Sequence, residues 1–363
     1  MTTATAPAAV PAPIDEAKLN AFVGKMVGEV GAALTGALVI IGDRLGLYRA
    51  LAEAGPLTSK ELAEKTGTHE RYVREWLANQ AASGYLEYDP STEKFTLPPE
   101  HQPVLADESS PVLLCGLYHI AQTLYADEPK ISESFKTGRG FGWHEHDQRL
   151  FGATERFFRP GYNANLVPSW IPALDGVEAK LKAGAKVADV GCGLGTSTIV
   201  MAQAYPKSTF VGYDYHDGSI AAARRAAEKA GLSDRVRFEV ASAQAFPGSG
   251  YDFIACFDCV HDMGDPVGAA KHMREALAPD GTFMMVEPFA NDKLEDNLNP
   301  VGRVFYAAST ILCTPAALSQ EPGLALGAQS GEARMRAIFT EAGFTRFRRA
   351  TETPFNLVFE ARP

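Results

Sequence analysis

Residues 187–196 read Val187-Ala188-Asp189-Val190-Gly191-Cys192-Gly193-Leu194-Gly195-Thr196. An apolar strand carries an acid near its end and runs into glycines at alternate positions. Glycine tolerates positive φ and lets backbone approach a ligand closely, so such a strand turns sharply into a helix over a bound group. A second strand, Ser208 to Tyr213, ends in Asp214, whose carboxylate suits the two hydroxyls of a ribose. Two strands arranged this way make a nucleoside site.

The glycine spacing narrows the ligand. A dinucleotide fingerprint reads G-x-G-x-x-G, with a pyrophosphate at the helix N-terminus. Here the order is Gly191-x-Gly193-x-Gly195, with Asp189 two residues before the first glycine. An acid there repels a pyrophosphate and suits a cationic amino-acid end. The alternatives are a bland strand-to-helix loop and a nicotinamide enzyme. Asp189 to Gly195 resembles the first motif of class I methyltransferases, which implies S-adenosylmethionine as cofactor. On that resemblance the cofactor-binding set is Asp189, Gly191, Cys192, Gly193, Gly195, Asp214, Tyr215, Ser242, Ala243 and Asp258. Ser242 stands where the family often has an acid for the adenine amino group.

Ala183 to Pro363 alternates strands and helices, as a doubly wound domain does. Strands are expected at Lys186–Val190, Thr209–Asp214, Val236–Val240, Tyr251–Asp258 and Gly281–Glu287, with a terminal hairpin over Arg346–Ala361. The resemblance implies a Rossmann-like α/β fold with a seven-stranded sheet. Strand C-termini face the ligand crevice in such sheets, which directs attention to Phe257-Asp258-Cys259-Val260-His261-Asp262-Met263. Methyl transfer is a displacement at an activated methyl, and the protein must align the acceptor and remove its proton. Histidine has a suitable pKa for a hydroxyl acceptor. His261-Asp262 resembles the base pair of winged-helix O-methyltransferases, in which acids orient the histidine; Glu287 and Glu332 match those acids. The family's tryptophan after the pair is Met263 here. The alternative for His261 is local capping, with transfer then resting on proximity alone.

Residues 15–105 read as short helices and a hairpin. Lys18 to Leu47 is amphipathic and expected to be broken by glycines; helices follow over Thr58–Lys65 and His69–Ser83, then a wing over Tyr85–Tyr88 and Lys94–Leu97. This is a winged helix-turn-helix pattern, which reads DNA in some proteins and forms dimers in small-molecule O-methyltransferases. Val30 to Glu100 holds seven Lys/Arg against ten Asp/Glu, the wrong sign for neutralising phosphates. The expectation is a homodimer without nucleic acid; the rival is a transcriptional regulator that responds to S-adenosylmethionine without transferring a methyl group.

Residues 106–182 read as a helical connector and substrate lid. Ser110–Tyr125 is an apolar helix, Gly138–His144 a Gly/aromatic stretch, and Gln148–Phe158 an aromatic-rich helix. Aromatic loops suit a flat apolar acceptor, and Trp143, Phe158, Tyr162, Asn163 and Arg303 are the substrate-binding candidates. His144 and His146 read as exposed loop polarity rather than a metal site, since no third ligand is indicated. No catalytic metal is implied.

The net charge of −10 argues against broad contact with nucleic acid or anionic membrane. Five widely spaced cysteines read as buried, reduced thiols; Cys256 and Cys259 are expected on opposite faces of a strand. Residues 1–14 read as a disordered Ala/Pro/Thr-rich tail, and Val30–Ile41 as too short to span a bilayer. The whole reads as a cytoplasmic enzyme that methylates a small aromatic or hydroxylated metabolite, although a methyltransferase fold performing other chemistry on the cofactor stays open.

Overall fold

Asp15 starts the first helix by accepting hydrogen bonds from the backbone N–H groups of Ala17 and Lys18 at 3.0 and 3.2 Å. In this computed structural model residues 14–363 are described, so residues 1–13 of the tail read over 1–14 lie outside the described residues. The chain divides after Ala106 into two units.

The first unit opens with α1 (Glu16–Arg44), α2 (Leu47–Ala54), α3 (Ser59–Thr66) and α4 (Glu70–Ala82), followed by β1 (Glu87–Asp89), β2 (Lys94–Thr96) and α5 (Gln102–Leu105). Helix α1 is continuous over 29 residues, which corrects the expectation that glycines break it. Gly24, Gly28 and Gly31 have open space where a side chain would stand, so they weaken propensity without bending the helix. Gly42 serves packing instead, because a Cβ there would lie 2.4 Å from the Trp76 ring. The start of α3 is a capping box: Thr58 Oγ1 accepts from Glu61 N–H, and the Glu61 carboxylate accepts from Thr58 N–H. Tyr48 donates to Gln80 inside the core at 2.5 Å. Beyond its packed end, α1 presents Phe22, Val27 and Leu34 to solvent at 59, 69 and 70% exposure.

Two helical stretches among the described residues are long and apolar enough to cross a membrane, Glu16–Arg44 and Pro300–Leu318. The first contains Val30–Ile41, so that segment belongs to a much longer helix than the sequence suggested.

The second unit begins with α6 (Cys115–Thr137), a 3₁₀ turn at Trp143–Glu145, α7 (Arg149–Asn165), a π turn at Leu166–Trp170 and α8 (Val177–Ala183). These elements fold with the sheet domain. The sheet domain continues β3 (Lys186–Val190), α9 (Thr196–Ala204), β4 (Thr209–Asp214), α10 (Asp217–Lys229), β5 (Val236–Val240), β6 (Tyr251–Phe257), a 3₁₀ turn at Val260–Asp262, α11 (Pro266–Ala276) and β7 (Leu277–Pro288). After a 3₁₀ turn at Leu294–Asn297 come α12 (Pro300–Ala308), a π turn at Ser309–Cys313, α13 (Thr314–Leu318), α14 (Gly331–Glu341), β8 (Arg346–Glu352) and β9 (Asn356–Arg362).

Seven strands form one sheet in the order β5-β4-β3-β6-β7-β9-β8. The first five run parallel, and β9 pairs antiparallel with both β7 and β8, so β9 alone runs against the rest. Side chains alternate across it with the two-residue strand period. Val187 joins the core under α8, α9 and α10, while Ala188 and Val190 join the core under α11 and α14. The order reverses direction between β3 and β6, the switch point at which a ligand crevice opens beyond the strand ends.

Removing the capping box is the direct test of the first unit. Thr58→Ala is expected to lower stability by ~1 kcal/mol, read from the midpoint of chemical denaturation.

Candidate active site

A cavity of about 610 Å³ opens at the switch point. Its floor is the loop after β3. Gly191 has φ of 77°, and a Cβ there would meet the Cys259 sulfur at 2.6 Å. Gly195 has φ of 81°, and a Cβ there would meet the Phe238 ring at 2.6 Å. Backbone shape and packing therefore both demand glycine. Gly193 N–H donates to Asp214 Oδ2 and His216 N–H to Asp214 Oδ1, each at 2.9 Å. These bonds lock the Asp214 carboxylate at the end of β4, and burial raises its pKa.

Gly191, Cys192, Gly193, Asp214, Tyr215, Ser242, Ala243 and Asp258 all line this cavity. Asp189 and Gly195 do not. Asp189 shares a sheet face with the α9 packing and accepts from the Ser197 and Thr198 hydroxyls at 2.6 and 2.6 Å. The sequence assigned it to the cofactor, but the structure puts it beneath the loop, tying β3 to the first turn of α9. Burial pushes its pKa up to about 6.

Asp258 follows β6 with φ of 50°, rare for a residue with a side chain. It accepts from Tyr162 Oη at 3.4 Å and Asn356 Nδ2 at 3.3 Å. Burial, reinforced by the Glu287 charge, raises its pKa to about 8. A cation in the cavity would ionise it.

The next turn carries a buried dyad. Glu287, near the end of β7, takes Val260 N–H on Oε1 at 3.0 Å and His261 Nδ1 on Oε2. A carboxylate only accepts, so Nδ1 carries the proton and Nε2 faces the cavity. Asp262 Oδ1 lies 3.3 Å from Nε2, an ion-pair separation without hydrogen-bond alignment. Burial disfavours the imidazolium, but Glu287 and Asp262 outweigh it and hold the His261 pKa well above its ordinary 6.5.

Trp143, Phe158 and Tyr162 line the cavity, with Phe158 and Tyr162 stacked at 5.9 Å. Three other candidates stand elsewhere. Asn163 is exposed, because one residue along α7 turns the side chain ~100° away from Tyr162. Arg303 is exposed on α12, whose Val304 and Phe305 supply the wall. Glu332 binds Arg336 on its own helix and Arg349 on β8, so it is not the second acid beside His261; Asp262 holds that place.

Sequence reasoning named Trp143 only as a substrate contact and missed two contributors, Gln320 and Cys313. Trp143 Nε1 donates to Asp262 Oδ2 at 3.0 Å, and Trp143 N–H donates to Tyr215 Oη at 3.1 Å. Gln320 Nε2 donates to Asp262 O at 3.0 Å. Cys313 lies on the wall beside His261. Nor is His146 exposed loop polarity: it is buried, with Nδ1 on Asp127 at 2.8 Å, and burial lowers its pKa. Cys256 and Cys259 do not point apart: both pack on the core under α11 and α14, Cys256 Sγ against Met273 Sδ at 3.6 Å and Cys259 Sγ against Val190 O at 3.4 Å.

Residues 181–343 match the methyltransferase domain family, and residues 32–107 match the Rv2258c-like winged HTH domain family. The chain thus joins a methyltransferase domain to an N-terminal winged HTH domain. A ubiquinone biosynthesis O-methyltransferase of Dinoroseobacter shibae is 31% identical over 101 residues, 28% of this chain and 40% of that protein. A sterol 24-C-methyltransferase of Aspergillus fumigatus is 31% identical over 125 residues, 34% of this chain and 33% of that one. The chain spans less than half the length of these curated relatives. Human N-acetylserotonin methyltransferase, solved with S-adenosylmethionine, shares the fold with a TM-score of 0.69 at 16% identity, over 97% of this chain and 99% of that one. An O-methyltransferase family protein from Burkholderia thailandensis does so with a TM-score of 0.67 at 17% identity, over 94% and 98%.

If Glu287 sustains the basicity of His261, Glu287→Gln will lower the imidazole pKa. Histidine ring signals followed by NMR across a pH series should show that fall; an unchanged titration would assign the shift elsewhere.

Proposed function

We propose that the chain transfers a methyl group from S-adenosylmethionine to a hydroxyl of a small, apolar or aromatic metabolite, with His261 as general base. One observation carries this: the carboxylate-held His261 and the Asp214–Gly193 clamp line the same cavity.

The residues fit the cofactor. Asp214 keeps free lone pairs for ribose hydroxyls after taking two backbone N–H groups. Asp258 offers a buried carboxylate to an ammonium or sulfonium. The glycine loop leaves no side chain at Gly191 and Gly193 to fill the space. Bound S-adenosylmethionine supplies a methyl group already activated by positive sulfur. Phe158, Phe305 and Leu312 would hold the acceptor by apolar contact and exclude water. His261 Nε2 would take the hydroxyl proton while Glu287 keeps the ring oriented and stabilises the imidazolium that forms. Since the resting imidazole favours its protonated form, its proton must first leave, and turnover is expected to rise with pH through a limb above 6.5.

A DNA-reading regulator is not favoured. Both arginines on α4 are engaged with glutamates of the same helix, Arg71 with Glu75 at 2.5 Å and Arg74 with Glu70 at 2.8 Å. The exposed apolar stretch of α1 supports a second copy of the chain as its cover. The five free thiols support a reducing, cytoplasmic setting.

Three measurements test the proposal. S-adenosylmethionine affinity, by calorimetry, should climb with pH until about 8 and then level as Asp258 ionises; Asp258→Asn should bind more weakly and without that slope. His261→Ala should cut kcat on a phenolic acceptor by about 10²–10⁴-fold with cofactor affinity nearly intact, and equal turnover would remove His261 from the mechanism. Val27→Asp should shift the sedimentation of a dimer towards monomer; a wild-type monomer would discard the dimer.

A further inference from the structure

Three side chains meet on the cavity wall at a point that methyl transfer uses only in part. A ring nitrogen of His261, a carboxylate oxygen of Asp262 and Cys313 Sγ lie within 4.8 Å of one another, with His261 Nε2 3.3 Å from Asp262 Oδ1, and all three residues are buried. They reach the point from two elements. The 3₁₀ turn after β6 brings His261 and Asp262, and the π turn Ser309–Cys313 brings the thiol. A π turn carries one residue more than an α turn and re-aims the side chains that follow it, a device that recurs at functional sites.

The donor set is one nitrogen, one oxygen and one sulfur. Imidazole and thiolate suit zinc and its neighbours, whereas magnesium and calcium prefer all-oxygen sites. Two features beyond proximity point to a cation. Glu287 holds His261 Nδ1 and leaves Nε2 turned outward, the carboxylate–histidine support that metal-binding imidazoles use. Asp262 Oδ1 is buried without a hydrogen-bond partner, although Oδ2 is held by Trp143 Nε1 at 3.0 Å.

We propose that His261, Asp262 and Cys313 bind a zinc-class divalent cation in a three-ligand site with its fourth position open to the cavity. Coordination replaces the S–H bond of Cys313 with a sulfur–metal bond and the Nε2–H bond of the His261 imidazolium with a nitrogen–metal bond, and both protons leave to solvent. The ion takes the Nε2 lone pair that would otherwise accept the acceptor's proton, so an occupied site cannot act as base. That consequence rests on the proposed role of His261; the binding site itself does not.

Cobalt(II) is the probe. Purified full-length protein, stripped with chelator and kept reduced, is titrated with Co²⁺ and read by the thiolate-to-cobalt charge-transfer band. The expected result is one equivalent bound, with the band erased by one equivalent of Zn²⁺. Cys313→Ser should lose the band, and Asp262→Asn should weaken binding at least about tenfold, in line with loss of a ligand. Cys259→Ser should keep the band, because the nearby Cys256–Cys259 pair is the competing thiol source. X-ray absorption on the zinc-loaded wild type needs no variant and should show one sulfur among nitrogen and oxygen neighbours. No band and no heat with Zn²⁺, a band that survives Cys313→Ser, or two sulfurs in the metal's shell would each overturn the site. Calorimetry of the same preparation with S-adenosylmethionine separates the two proposals: cofactor binding without metal binding removes this site alone.

Discussion

Burying Glu287 against the turn after β6 is the interaction on which the rest of the cavity depends. One carboxylate oxygen ties down the Val260 backbone and the other takes His261. A carboxylate so deep in a sheet is tolerable only when its lone pairs are used. The parallel pairing of β6 with β7 sets this up, because Phe257 stands beside Val286 and the two strands end together. Their ends hand over an acid from one strand and a histidine from the turn after the other.

The same principle repeats across the crevice. Asp214 ends β4 and takes two backbone N–H groups, Asp189 near the end of β3 takes two hydroxyls, and Asp258 beyond β6 takes a phenol and an amide. Acids at the ends of β3, β4 and β7 and just after β6 thus gather around the crevice, and among the described residues no lysine or arginine lines its wall. Burial raises the carboxyl pKa values of all three aspartates, and repulsion from neighbouring acids adds to it at Asp189 and Asp258. That electrostatic imbalance favours a cationic ligand, and it separates this crevice from a phosphate site of similar backbone shape.

The apolar side of the cavity is built differently. It is assembled from α6, α7, α12 and the π turn that follows, with Trp143 stapling its loop to Asp262 on one side and Tyr215 on the other. Through these two bonds Trp143 couples the position of the apolar wall to that of the dyad and of the acidic crevice.

The strands, the glycine turn and Asp214 were legible in the sequence because each rests on local pattern, whereas the pairing of His261 with Glu287 came only from the family resemblance. Period-two hydrophobicity, positive-φ glycines and acids at strand ends are properties of a few consecutive residues, and the parallel order follows from alternating elements. The capping box at Thr58 is local in the same way. What only the tertiary structure decided were the contacts between distant segments: Trp143 with Asp262, Gln320 beneath the dyad, and Cys313 beside His261. It also turned Asn163 and Arg303 outward, spent Glu332 on two arginines and put Asp189 under the loop. A residue's neighbours across the chain depend on helix phase and on how helices seat against the sheet, and a one-residue change of phase turns a side chain from the cavity to solvent.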